Sequence, residues 1–100
     1  MKIIKLDRRH NLYKKDQCAY AFKFDSWYGN IETISEIERM LTEAYGHQFS
    51  FRKKTHWKTH WGRQRYVGGF PVSSRPYWIG VKNESTVSYV MMKLDLLTET

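Results

Sequence analysis

Residues 49–61 read FSFRKKTHWKTHW and alternate in character at every step. Phe49, Phe51, Thr55, Trp57, Thr59 and Trp61 occupy odd positions, with only Lys53 breaking the set, while Ser50, Arg52, Lys54, His56, Lys58 and His60 occupy the even ones. Aromatic and β-branched residues on one parity and polar or cationic residues on the other describe a strand with one packed face and one wet face. A helix would set His56 beside His60 and Trp57 beside Trp61, but the Thr and aromatic content argues against it, and no capping residue precedes the run. A long strand is expected, and with it a sheet. On such a strand His56 and His60 stand about 13 Å apart at about 3.3 Å per residue, too far to share a zinc ion held at about 2.0 Å. No metal and no cofactor are expected.

The remaining periodicities fill in the frame. Ile3, Ile4 and Leu6 mark a first strand; Cys18, Tyr20, Phe22 and Phe24 alternate with Ala19, Ala21 and Lys23 in a second, its antiparallel neighbour. Asn30 is a suitable N-cap for a helix in which Ile31, Ile34, Ile37, Met40, Leu41 and Ala44 recur at three and four residues, and Gly46 ends it. Glu36 and Arg39, and Arg39 and Glu43, are spaced to pair on its outer face. YWIGVKN (77–83) and TVSYVMMKLDLL (86–97), separated by Asn83-Glu84-Ser85, are expected to close the sheet as a hairpin. The expected fold is α+β: a single domain over residues 1–100, with a mainly antiparallel sheet of about five strands and one covering helix in the order ββαβββ. One hundred residues at 41% hydrophobic and 16% aromatic content suit one core.

Between the long strand and that hairpin, GRQRYVGGFPVSSRP (62–76) has no periodicity and holds Gly62, Gly68, Gly69, Pro71, Ser73, Ser74 and Pro76. It reads as an exposed loop, of a length that compact domains reserve for function or leave unordered. Tyr66, Phe70, Pro71, Arg75, Pro76, Tyr77 and Trp78 are its candidate partner-binding residues, because Trp, Tyr and Arg most often anchor interfaces. Phe70-Pro71 and Arg75-Pro76 are the two prolyl bonds of the chain, either of which can adopt the slowly exchanging cis form.

Net charge is +7, and its distribution is uneven. No acid occurs between Glu43 and Glu84, an interval with eight Lys and Arg residues; a second cluster, Arg8, Arg9, His10, Lys14 and Lys15, follows the first strand; Glu32, Glu36, Glu38 and Glu43 line the helix. Segregated signs of this kind suit a polyanion or an acidic protein surface. Arg52, Lys54, His56, Lys58, His60, Arg63 and Arg65 are the candidate nucleic-acid-binding residues, a row of donors along one strand face continuing into the loop. The neighbouring rings could stack on bases, although Trp57 and Trp61 point to the opposite face in the strand reading.

No enzyme is expected. The chain has no P-loop, G-x-G-x-x-G, H-E-x-x-H or G-x-S-x-G motif. A convergence of His47, His56, His60, Arg65 and Tyr66 into a nuclease site has nothing to select it. Lone Cys18 cannot form an internal disulfide, and after Leu6 the apolar start gives way to Asp7, Arg8 and Arg9, so neither a signal peptide nor a membrane span is expected.

From MKIIKLDRRH through GGFPVSSRPYW the chain resembles the small lambdoid-phage anti-RecBCD proteins that accompany phage recombination genes. The resemblance lies in the whole chain and carries no motif that transfers a functional residue. It implies a non-enzymatic phage protein of the bacterial cytoplasm that binds the host RecBCD helicase-nuclease and alters its processing of DNA ends. It also implies a host prolyl isomerase engaged at Pro71 or Pro76, with Pro71 favoured by its preceding aromatic and glycines. A stand-alone basic nucleic-acid-binding protein is the alternative reading.

Overall fold

In a computed structural model describing residues 1–46, 56–64, 66–71 and 75–98, the sequence forms an antiparallel sheet with helices against both faces. Strands β1 (Lys2–Lys5), β2 (Tyr20–Phe24), β3 (Trp57–Trp61) and β6 (Tyr77–Val81) lie in the order β1-β2-β6-β3, with every neighbour antiparallel. A separate hairpin joins β4 (Tyr66–Val67) to β5 (Phe70–Pro71). Helix α1 (Asn11–Asp16) lies between β1 and β2, α2 (Ile31–Tyr45) follows β2 after a single 3₁₀ turn at Tyr28–Asn30, and α3 (Glu84–Thr98) follows β6. The α+β class and the mainly antiparallel sheet are as expected.

Pairing register assigns each strand residue to a face, since directly opposed residues project to the same side. Phe22, Ile79 and Thr59 share one face with Phe24, Tyr77 and Trp61, and with Tyr20, Val81 and Trp57. That face carries the main core. Phe22, Phe24, Ile79, Val81, Tyr77 and Trp57 pack with Ile34, Ile37 and Leu41 of α2 and with Val87 and Val90 of α3. The opposite face has a smaller core, in which Leu6, Leu12 and Cys18 from the β1–β2 connection cover Ala21. Both parities of β2 are therefore buried, and Gly80 is needed where α1 crosses: a Cβ there would stand 3.0 Å from Cys18 Sγ and from Leu12 Cδ1.

Helix α2 runs as its spacing predicts, with Ile34, Ile37, Met40 and Leu41 buried. Asn30 occupies the N-cap position, although its side chain makes no capping bond and its Nδ2 instead donates to Ser26 O at 2.7 Å. Gly46 ends the helix at φ 86°, its N–H on Thr42 O. On the outer face Arg39 pairs with Glu36 and, at 2.7 Å, with Glu43.

Three differences from the sequence expectation concern local structure. Residues 86–97, expected as the last strand, belong to α3. Thr, Val and Tyr there have the composition of a strand, but Val87 and Val90 are buried three apart and Leu94 follows at four, which is a helix stripe meeting the core. The order ββαβββ is thus replaced by one with two long helices and a short one. The short one, α1, carries the basic run: His10 is its N-cap, with Nδ1 accepting the Leu12 N–H at 3.1 Å, and Gln17 closes it in the left-handed region. Finally, the 62–76 segment holds a hairpin, because Gly68 and Gly69, at φ 58° and 84°, make the two-residue turn whose twist suits paired strands.

Candidate binding surfaces

Two surfaces follow from this fold. The first is the β4–β5 hairpin. Tyr66 pairs with Pro71 and Val67 with Phe70, and all four are exposed: Tyr66 by 65%, Val67 by 70% and Phe70 by 77%. Large apolar side chains in a paired yet solvated hairpin contribute little to the core; Tyr66 and Pro71 project to one side of it, Val67 and Phe70 to the other. A closed neck anchors the hairpin. Gly62 donates to Pro76 O at 2.7 Å, Arg75 Nε donates to Gly62 O at 2.8 Å, and Trp27 donates its backbone N–H to Arg75 O at 3.1 Å. The Arg75 guanidinium also lies over the Trp61 ring at 5.0 Å, within a cluster that includes Trp27 and Tyr77.

The seven residues expected to touch a partner therefore divide. Tyr66, Phe70 and Pro71 are presented to solvent. Arg75 and Pro76 form the neck. Tyr77 is a core residue, only 4% exposed, whose hydroxyl donates to Glu38 Oε1; burial first, and then that bond, pushes its phenol pKa well up. Trp78 sits half-buried on the far face of the sheet.

The second surface is that far face. One row of residues runs straight across all four strands: Lys2 opposes Lys23, Lys23 opposes Trp78, and Trp78 opposes His60. Lys23 Nζ lies 5.7 Å over the Trp78 ring, and the rings of His10 and His60 meet Trp78 at 5.3 and 5.6 Å and each other at 5.2 Å. Burial, and then the charge of His60, hold the His10 imidazole below its usual pKa, with Asp7 opposing them. Trp78 Nε1 is buried without a hydrogen-bond partner, a costly state for a donor. Gly62 fixes the ring: a Cβ on it would lie 2.6 Å from Trp78 Cζ3.

Of the expected nucleic-acid-binding residues, His60 belongs to this row and Lys58 lies one row further on, opposite Gly80. Arg63 is exposed just beyond β3. His56 leaves the stripe: it precedes β3 and stacks on Tyr45 at the end of α2, ring centroids 4.9 Å apart. Arg52, Lys54 and Arg65 lie outside the described residues, as do His47 and the first part of the expected long strand. Lys2 and Lys23 are not among the sequence candidates, since only strand register brings them to Trp78, and His10 reaches it from the N-cap of α1. His56, His60 and Tyr66 have separate neighbours and do not form one constellation.

Among the described residues no group of three or more His, Cys, Asp or Glu could hold a metal ion, and no helix is long and apolar enough to cross a membrane. No family model matches this chain, and neither a curated protein nor a solved structure shows significant similarity to it.

Proposed function

We propose that the protein acts by binding, without catalysis of its own, and that its hairpin docks into a host DNA-processing enzyme of the RecBCD helicase-nuclease kind and alters its activity in the bacterial cytoplasm. The observation that carries the docking is the exposure of all four hairpin residues, three of them large and apolar, on a neck held by backbone bonds. A segment already paired as a hairpin loses less freedom on docking than an open loop, which favours affinity. The kind of partner is supported by the whole-chain resemblance described above. Pro71, exposed beside Phe70, is the proline accessible to a prolyl isomerase; Pro76 is engaged in the neck through its carbonyl.

Immobilised protein should retain the purified helicase-nuclease after nuclease treatment, and Phe70→Ala should weaken that complex by about 2 kcal/mol, the scale of an interface anchor. The melting temperature should stay unchanged, because an exposed ring contributes about 0.5 kcal/mol or less to folding. Equal retention by wild type and Phe70→Ala would refute the hairpin as the docking element, and no retention at all would refute the partner.

A further inference from the structure

The sheet lies between helix α2, acidic apart from Arg39, and a β1–β2 connection that is basic apart from Asp7 and Asp16. Helix α2, with Glu32, Glu36, Glu38 and Glu43, packs through Ile34, Ile37 and Leu41 on the core face. The β1–β2 connection crosses the other face through Leu6, Leu12 and Cys18, and it brings Arg8, Arg9, Lys14 and Lys15, all exposed, to that side. His10 of the same connection meets the Lys2–Lys23–Trp78–His60 row at Trp78 and His60. Asp7, the acid preceding this cluster, accepts the Arg9 backbone N–H at 2.8 Å. A field of this kind attracts a polyanion to one side of the molecule.

From this arrangement we infer that the cationic face is a binding site for single-stranded nucleic acid, seated on the cross-strand row with a base against Trp78 and phosphates on Lys2 and Lys23. The row spans three interstrand gaps of about 4.8 Å, or about 14 Å, long enough for a short run of nucleotides. It offers two cations at one end for the backbone, then a ring for a base, with His60 at the other end. Stacking on aromatic side chains is tolerant of sequence and needs a base already out of a duplex. A duplex would engage the lysines and leave the ring unused, and so would an acidic peptide.

The cross-strand row offers one ring for stacking. The Lys23 ammonium lies 5.7 Å from the Trp78 ring centroid, so a phosphate on that ammonium would bring a neighbouring base to the ring. The site uses no hairpin residue, so it stands apart from the docking proposed above.

Fluorescence anisotropy with a labelled oligothymidylate, and with a labelled duplex of equal length, tests the site. Wild type should prefer the single strand. The Lys2→Ala/Lys23→Ala variant, changed only at surface ammoniums, should bind more weakly, and its log–log salt dependence should be shallower by about 1.4, at about 0.7 per phosphate contact. Trp78→Leu, where circular dichroism shows it folded, should lose roughly tenfold in affinity, within the range for one stacked base. Lys93→Ala, on α3 at the core side, and Phe70→Ala should bind as wild type. An unchanged salt slope in the lysine pair, an equal loss from Lys93→Ala or Phe70→Ala, or equal affinity for duplex would each overturn the assignment.

Discussion

Replacing Gly62 by Ala places a methyl group 2.6 Å from Trp78 Cζ3 and 2.8 Å from Pro76 Cβ. Carbon atoms in contact settle at about 3.5–4.0 Å, so the overlap is about 1 Å on two sides. Neither side yields easily. The Pro76 ring is rigid and its carbonyl receives the Gly62 N–H at 2.7 Å, while Trp78 is flanked by His10 and His60. Overpacking costs about 1–3 kcal/mol, and this geometry belongs in the upper half of that range. The backbone itself is no obstacle, since Gly62 is not among the residues with positive φ. Stiffening the unfolded chain returns about 0.4–1 kcal/mol. The net loss is then about 2 kcal/mol, which for a domain of this size lowers the melting temperature by roughly 8–16 °C. Thermal unfolding followed by circular dichroism reads this directly. A double-mutant cycle with Trp78→Phe locates the clash, because the smaller ring should relieve part of the penalty and leave a coupling of about 0.5 kcal/mol or more. A melting temperature that holds or rises in Gly62→Ala would show that the neck is looser than these distances imply.

Acid should weaken the β1–β2 connection. His10 caps α1 through a neutral Nδ1, with Asp7 and His60 as the charged neighbours; its folded pKa is depressed, so its contribution is complete above the unfolded value of about 6.5 and is lost as pH falls through the lower folded value. His10→Asn, which caps without titrating, should flatten the melting temperature measured between pH 7.5 and 5.5, and an undiminished slope would remove His10 from the account. For α3, Val90→Asp should prevent folding, because it buries a charge in the main core. Met92→Asp, at a position 56% exposed, should change stability by about 0.5 kcal/mol or less. Two positions of equal parity would respond alike on a strand.

The elements legible in the sequence are those whose local period agrees with their packing. Helix α2 shows its stripe over four turns and is stopped by Gly46, and the alternation around Trp57 and Trp61 does correspond to β3. Helix α3 was hidden because Thr86, Val87, Tyr89 and Val90 are strand formers whose helical spacing acquires meaning only against the core. Helix α1 was hidden because it is six residues long and capped by a histidine in place of Ser, Thr, Asp or Asn. The cationic row was out of reach for a different reason. Residues 2, 23, 60 and 78 become neighbours through a strand order that inserts the last strand between the second and third, and no local pattern encodes that insertion. Tyr77 shows the converse error: its composition suited an interface, but a strand begins there and draws it into the core.

The bonds joining Gly62 to Arg75 and Pro76 make the two ends of the intervening segment a fixed frame. Between them, residues 66–71 form a two-stranded sheet separate from the main one. Doubling the length of such a segment costs only about 0.6 kcal/mol of closure entropy, so the hairpin at 66–71 can be exchanged or lengthened at little cost to the main core. If the hairpin docks as proposed, that arrangement lets recognition drift faster than architecture.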